Sequence, residues 1–409
     1  MRANAFRGFG VSTCALSAML SVASRCAAQW DLNLEQPLVS TITPGMASLA
    51  IEQLALSDSQ RKSFSEIVAT HAAKLAEFAD AWRDRLRRLD RATVDPSLQA
   101  TERWNLESQA FRAGREVADR QAAMDQGVIN QLRSLLASEQ LSRWNDFLMR
   151  WLDARGAGSS SATTCEARVQ LLELLDQFAA ATSRGSPECS HVLADAAHAY
   201  AAEACPIRDA LISASIRMAR ESRDELEARA EVREDGTVRI GDFRNASDKA
   251  KYGKWPKQVE KCSMKLGQLN VACLDRLERD LQLTVFHDLA WSFWVKAFPS
   301  EVAVREAREW VRFVSLAREL VPVAGENIEA IEEVLAKGDK KLLGHMRAIA
   351  AIANARPEPG EPAALHAAKI RSEGEAFAAE RLSIQQSAMV LFPESAQQKM
   401  RAASAKLRD

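Results

Sequence analysis

Residues 56–91 read LSDSQRKSFSEIVATHAAKLAEFADAWRDRLRRLDR, and this stretch decides the fold class. Its larger apolar residues, together with one histidine, recur in steps of three or four. That is the spacing of one stripe along an α-helix. The stripe consists of Phe64, Val68, His71, Leu75, Phe78, Trp82, Leu86 and Leu89. The stretch therefore predicts a single long amphipathic helix.

A second long helix is expected to return beside the first. The sequence Val94-Asp95-Pro96 interrupts the pattern, because proline disfavours a helical conformation in the residue before it. The next apolar stripe contains Trp104, Phe111, Val117, Met124, Val128, Leu132 and Leu135. Two long helices that are joined by a short turn pack antiparallel. With a third helix over 138–154, they predict a helical hairpin domain over 45–155.

The second half of the chain is predicted to form a larger helical bundle over 165–408. A Gly- and Ser-rich run over 155–161 separates it from the hairpin and has the composition of a flexible linker. Helix is favoured nearly throughout, because the chain has only 17 Gly and 12 Pro residues. The exception is 232–240, where Asp235-Gly236 between alternating residues predicts a small β-hairpin. The predicted fold class is therefore all-α.

Helix boundaries in this half are predicted from prolines, glycines and apolar spacing. Pro206 is expected to end one helix and begin another, and a break is expected at Lys337-Gly338. The predicted helices cover 188–204, a stretch from 206, 257–281, 284–297, 300–320, 326–336, 339–355, 363–391 and 394–408.

Residues 1–28 have the layout of a secretory signal peptide. Arg2 and Arg7 make the start positive, 11–23 is weakly apolar, and Cys26-Ala27-Ala28 supplies small residues for cleavage. The alternative is a leader that stays in the cytosol. Removing the segment takes away three arginines and no acid, so the formal charge changes from −1 to −4. A periplasmic or secreted chain is expected, with no nucleic-acid partner and no transmembrane anchor.

Five cysteines remain after residue 28: Cys165, Cys189, Cys205, Cys262 and Cys273. If Cys189 and Cys205 share a helix, they are about 24 Å apart, and the same reasoning gives about 16 Å for Cys262 and Cys273. A disulfide needs Cα atoms within about 7 Å. Two alternatives stay open, namely bridges between different helices and a set of buried reduced thiols.

A short box recurs four times along the chain, with an apolar or aromatic residue eight positions after its leucine. The copies are LSDSQ at 56–60, LASEQ at 136–140, LTVFH at 283–287 and LSIQQ at 382–386. A hydroxyl residue followed three positions later by Gln forms a capping box, which marks the start of a helix. Ala137 cannot cap through its side chain. The residues expected to mark helix starts are Leu56, Ser57, Gln60, Leu136, Gln140, Leu283, Thr284, His287, Leu382, Ser383 and Gln386.

In a helical, Arg-rich chain with an export signal, this box resembles the LTxxQ motif of the Spy/CpxP family of periplasmic proteins. The matching residues are Leu56-Ser57 with Gln60 and Leu136-Ala137 with Gln140, and the resemblance covers residues 45–155. It implies a small all-helical cradle that holds unfolded proteins without ATP or takes part in envelope-stress sensing. Members are usually dimeric, which implies a homodimer here.

Arginines concentrate at the end of the first long helix and along the second. Beside apolar residues, such a surface can hold acidic or partly unfolded chains. The alternative is a solvated face whose arginines pair with nearby acids. The residues expected to bind polypeptide are Arg83, Arg87, Arg88, Arg91, Arg112 and Arg115. The predicted function is non-enzymatic polypeptide binding in the cell envelope, and the alternative is a scaffolding protein that binds no client.

No catalytic or cofactor motif is present: the chain has no phosphate loop, no dinucleotide fingerprint, no His-Glu-x-x-His and no nucleophile elbow. No cofactor and no metal are expected. The remaining enzymatic alternative is a metal site from Glu188-x-x-His191 and Asp195-x-x-His198, which lie seven residues apart on one predicted helix. Ordinary surface residues near a helix start are the favoured interpretation.

Overall fold

The computed structural model describes residues 41–93, 97–156, 162–232, 238–240, 254–298, 301–355 and 362–405. Helix accounts for nearly all of them, so the predicted all-α class is confirmed. The α-helices are α1 Pro44–Gln53, α2 Asp58–Thr93, α3 Ala100–Leu135, α4 Trp144–Gly156, α5 Leu171–Thr182, α6 Pro187–Arg229, α7 Lys254–Asp280, α8 Leu283–Ala297, α9 Glu301–Leu320, α10 Ile328–Asn354, α11 Ala363–Met389 and α12 Glu394–Ala405. None of these helices combines the length and the apolar character that crossing a membrane requires.

Two short strands are the only extended elements in the described ranges. Strand β1 (Ala230–Val232) pairs antiparallel with β2 (Val238–Ile240), with Glu231 opposite Arg239. The Asp-Gly turn that the sequence predicts for this passage lies outside the described residues.

The chain divides into two compact units, and the division does not follow a single boundary. The N-terminal unit contains residues 1–161 and 201–262, whereas the C-terminal unit contains 162–200 and 263–409. The predicted domains, 45–155 and 165–408, therefore misplace 201–262. Composition marks a linker after α4, but it cannot show that the second part of α6 packs with the hairpin.

In the N-terminal unit, α2 and α3 pack antiparallel, and their apolar stripes meet α1 and α4. The buried core includes Leu56, Phe64, Leu132, Phe147 and Trp151. Full burial of such side chains stabilises a fold by about 2 kcal/mol each. Phe64 and Val68 of the predicted stripe pack in this core, whereas Phe78 and Trp82 pack in a separate buried cluster with Ala113 and Val117.

One carboxylate lies inside the core of the N-terminal unit. Asp125 Oδ1 lies 2.9 Å from His71 Nε2, and Asp125 Oδ2 accepts hydrogen bonds from Thr41 N (2.8 Å) and Thr41 Oγ1 (2.7 Å). Trp151 Nε1 donates to Thr41 Oγ1 at 3.0 Å. A buried charge is costly unless donors surround it. This contact explains why a histidine occupies a buried position of the apolar stripe: the His71 ring binds the carboxylate of Asp125.

The C-terminal unit has a comparable group at its centre. Asp339 on α10 is 1% exposed, and its Oδ1 accepts from Trp291 Nε1 of α8 and Trp310 Nε1 of α9, each at 2.7 Å. His287 Nδ1 lies 2.9 Å from Asp339 Oδ2. Side chains of α8 and α9 thus bind a carboxylate of α10, and these contacts fix the mutual positions of the three helices.

Two predicted helix breaks are wrong. Pro206 lies inside α6, which continues through it to Arg229. Gly338 lies inside α10, and a Cβ on it would come within 2.9 Å of both the Trp310 ring and Ile384 Cγ2. Gly338 is thus a position of close helix contact, and a glycine costs a helix interior only about 1 kcal/mol.

Candidate functional site

The first box caps α2. Ser57 immediately precedes the helix, its N–H donates to Gln60 Oε1 at 2.9 Å, and Gln60 N–H points at Ser57 Oγ at 3.4 Å. Arg61 N–H donates to the Ser57 carbonyl at 2.8 Å, which is the first bond of the helix. Two of the backbone N–H groups that the helix start leaves without a partner are thus satisfied locally.

The second box begins a 3₁₀-helix over Ser138–Arg143. Ala137 N–H donates to Gln140 Oε1 at 2.9 Å, and Gln140 N–H donates to the Ala137 carbonyl at 3.0 Å. Alanine contributes no side-chain acceptor, so only the glutamine half of the box is present here. The next helix, α4, begins at Trp144.

The two boxes bind each other across the open end of the hairpin. Gln60 Nε2 donates to Gln140 Oε1 (2.8 Å) and to the Leu135 carbonyl (2.7 Å). Gln140 Nε2 donates to Gln60 Oε1 (3.0 Å) and to the Ala55 carbonyl (3.0 Å). Leu56, Phe64 and Trp144 are buried in the same core beneath them, and partly buried Leu136 packs against it. This arrangement, here called the glutamine clasp, is a structural element.

The third box lies at a helix start but does not cap it, and the fourth box does not start a helix, which corrects the prediction. Helix α8 begins at Leu283 after the N-cap residue Gln282, so Thr284 lies within the helix, while His287 is buried against Asp339. The positions of the fourth box, Leu382, Ser383 and Gln386, lie inside α11, and Leu382 is 44% exposed. A capping box acts only where the chain enters a helix. Inside a continuing helix, its residues are ordinary surface positions.

The arginines predicted to bind polypeptide lie on α2 and α3, but two of them already pair with acidic side chains of the protein. Arg83 Nη1 pairs with Asp80 at 2.8 Å, and Arg115 Nη1 pairs with Asp224 of α6 at 2.6 Å. Arg87 and Arg112 are exposed. Arg88 is also exposed, and its Nε donates to the Asp84 carbonyl at 3.2 Å. The side chain of Arg91 lies outside the described residues.

A groove of about 380 Å³ between α2 and α3 contains two of the predicted arginines, Arg88 and Arg112, together with Arg85, which was not among them. It is lined by Arg85, Arg88, Gln109, Arg112, Ala113 and Glu116. Its electrostatic character is positive, because three guanidinium groups face one carboxylate. The spacing of Arg85 with Arg88 and of Gln109 with Arg112 is visible in the sequence. Their convergence depends on how the two helices align, and the sequence does not show that.

An apolar floor underlies this arginine groove. Trp82, Ala113 and Val117 are buried together, with Phe78 packed against them. The Arg85 guanidinium stacks 4.4 Å from the Trp82 ring centroid, and its Nη1 lies 3.6 Å from Glu116 Oε2. Stacking restricts the arginine side chain while half of it stays exposed. The groove therefore presents an oriented cation beside apolar surface.

One carboxylate from another helix already pairs with an arginine of α3. Asp224 of α6 pairs with Arg115, and Arg220 of α6 pairs with Asp119 of α3. Burial and the nearby positive charge of Arg115 lower the pKa of Arg220, while Asp224 opposes that shift. Arg115 on α3 thus pairs with an acidic side chain from a separate helix.

Other predicted sites are placed as follows. Glu188, His191, Asp195 and His198 are exposed on α6, and the described part of the chain contains no cluster of three or more metal-ligating side chains. Cys165, Cys189, Cys205, Cys262 and Cys273 are all buried, and none of these five forms a disulfide. Of the two alternatives left open for them, the structure shows buried thiols. Burial raises the pKa of Cys205 to about 12.

Comparison of the chain with protein-family models, curated proteins and solved structures gives no match.

Proposed function

We propose that this chain is a non-enzymatic exported helical protein whose hairpin binds other polypeptides, as an ATP-independent chaperone or stress-sensing module. The observation that carries the proposal is the arginine groove, which Arg85, Arg88 and Arg112 line together with Ala113, and in which Arg85 stacks on buried Trp82. Positive charge attracts a chain from a distance, and apolar contact then retains it.

Most of the contact area would come from the arginine stems. Trp82 is only 8% exposed and Ala113 only 2%, so the floor alone offers little surface. Arginine has a long apolar stem beneath its charge and packs along other side chains while its head stays in water. Such a surface suits reversible binding of partly unfolded chains.

The test is suppression of aggregation by the chain from residue 29. We expect it to slow light scattering by a chemically denatured protein at equimolar ratio. The triple variant Arg85→Gln, Arg88→Gln, Arg112→Gln should lose that effect. The control variant Arg308→Gln, Arg312→Gln, Arg371→Gln removes the same charge from exposed positions in the C-terminal unit and should keep it. A wild-type chain without effect, even in excess, contradicts chaperone activity.

The second candidate is a scaffolding protein of the cell envelope with no client. The observation that favours it is internal charge pairing, as in Arg83 with Asp80 and Arg115 with Asp224. A scaffold should form a stable oligomer by multi-angle light scattering and should not protect denatured proteins. A client-binding protein gives protection whatever its assembly.

Export rests on the predicted signal and has its own test. When the full chain is expressed with a working secretion system, the processed protein should begin at Gln29 and lie in the envelope fraction. Mass spectrometry of the intact protein from each cell fraction determines both its N-terminal residue and its compartment. An uncleaved product that stays with the cytosolic fraction contradicts export without affecting the binding test.

A further inference from the structure

We infer that the ligand of the arginine groove is an acidic segment of a partner polypeptide, whose carboxylates pair with Arg85, Arg88 and Arg112. This inference rests on the proposed function and names the class of segment that the groove takes. The groove requires a segment that carries Asp or Glu near apolar residues. A chaperone that binds unfolded chains in general has no such requirement.

The donor set of the groove fits carboxylates. Each guanidinium offers a planar fork of N–H donors that matches the two oxygens of a carboxylate. Arg85 and Arg88 come from α2, while Gln109 and Arg112 come from α3, so a bound segment meets donors from both helices. Because the Gln109 amide both donates and accepts, it can also satisfy a peptide group of the segment.

The protein already contains one example of this pairing. Asp224 on α6 lies 2.6 Å from Arg115, which is one helical turn beyond Arg112 on α3. Residues three apart on a helix are neighbours on its surface. An acidic side chain from a separate helix is thus held next to the groove by the same row of arginines.

A polypeptide fits the groove better than a chain of phosphates does. The groove contains Glu116, which repels a ligand that carries charge on every repeating unit. Ala113 and the apolar floor give an apolar side chain a place to pack, and a phosphate chain has none. The whole protein has a formal charge of −1, which adds no long-range attraction for nucleic acid.

The experiment measures binding of fluorescein-labelled peptides to the chain from residue 29 by fluorescence anisotropy. One peptide alternates glutamate with leucine and alanine, and its matched partner has glutamine at every glutamate. Inorganic polyphosphate of similar total charge serves as the competitor. The protein variants are the triple glutamine change at Arg85, Arg88 and Arg112 and the control at Arg308, Arg312 and Arg371.

We expect the glutamine peptide to bind about tenfold more weakly than the glutamate peptide, and the triple groove variant to lose about the same factor. The control variant should bind as wild type does, and added salt should weaken the interaction. Because the three arginines are exposed, the variant should still unfold cooperatively, with only a small decrease in melting temperature from the loss of the Arg85 stacking on Trp82. The single variant Arg112→Gln is a second test, and we expect it to lose less affinity than the triple variant.

The outcomes separate the two proposals. Equal binding of both peptides, together with protection of denatured proteins, overturns the acidic-segment inference and leaves the proposed function in place. Displacement by polyphosphate at lower concentration than by the glutamate peptide also overturns it, since the site is then a general anion site. Absence of both peptide binding and protection overturns both proposals.

Discussion

Gln60 and Gln140, 80 residues apart in the chain, exchange side-chain amide hydrogen bonds in both directions, at 2.8 and 3.0 Å. Each Oε1 also accepts from a backbone N–H of its own box, and each Nε2 also donates to a carbonyl of the other helix end. All the amide hydrogens of both side chains are therefore used, and the two ends of the hairpin are joined through two residues.

Breaking the glutamine clasp should destabilise the hairpin. Gln60→Ala leaves the part-buried Leu135 carbonyl unpaired, so we expect it to lower the free energy of unfolding by about 1–3 kcal/mol. Gln140→Ala releases only exposed backbone groups, so we expect a loss of about 0.5–1.5 kcal/mol. Urea unfolding followed by circular dichroism measures the change.

The double variant and a control test the coupling. Because each glutamine loses much of its function when the other is absent, the double variant should cost less than the sum of the single changes by at least about 0.5 kcal/mol. Gln131→Ala, at an exposed position of α3, should change little. Strictly additive effects would show that the two amides do not act as a pair.

Gly338 and Gly344 on α10 should respond oppositely to alanine. A Cβ at Gly338 would lie 2.8 Å from the buried Trp310 ring, so Gly338→Ala should destabilise by about 1–3 kcal/mol. A Cβ at Gly344 would meet nothing within 4 Å, so Gly344→Ala should stabilise by about 0.5–1 kcal/mol. Thermal unfolding of both variants decides the matter, and a Gly338→Ala protein as stable as wild type contradicts the close contact.

Removing the carboxylate of Asp339 should be among the most damaging single changes in the C-terminal unit. Asp339→Ala leaves His287 and two buried indole N–H groups without their acceptor, which should cost about 3–5 kcal/mol. Asp280→Ala, at an exposed position, should stay within about 0.5 kcal/mol of wild type. Near-UV circular dichroism should report loss of the tryptophan signal only in the first variant. An unchanged spectrum and melting temperature would refute the central role of this carboxylate.

Cys205 should resist labelling in the folded chain. Burial raises its pKa from 9.0 to about 12, and the carboxylates of Asp146, Asp153 and Asp209 add to the shift. The folded state thus holds the thiol proton more tightly than the unfolded chain. This contribution to stability is complete below pH 9 and is lost as the pH rises towards 12. At about pH 9, iodoacetamide followed by peptide mapping should find Cys205 unmodified until urea is added, and rapid modification without urea would contradict the burial.

The helical hairpin could be predicted because its information is local. The steps of three and four from Phe64 to Trp82 predict which face of α2 is buried, and the Ser57 and Gln60 pair predicts where the helix starts. The charge of the arginine cluster could also be read directly. The acids that pair with these arginines could be predicted only in part, since Asp80 lies three residues from Arg83 whereas Asp224 lies 109 residues from Arg115.

The wrong predictions share a physical cause. Local sequence gives the same box at 56–60 and at 382–386, yet only the first lies where the chain enters a helix, since α11 continues unbroken past Ser383. The glycine at position 338 suggests a helix break in the sequence, but its missing side chain allows the Trp310 ring to pack closely against α10. Both distinctions depend on neighbours that are distant in the chain.

The sequence by itself determined the all-α class and the apolar faces of the long helices, because helix periodicity and propensity act over a few residues. Only the tertiary structure decided that 201–262 belongs with the hairpin, that Gln60 meets Gln140, and that Arg85, Arg88 and Arg112 line one groove. Those relationships depend on the alignment of whole helices, which is set by packing of side chains from many turns at once.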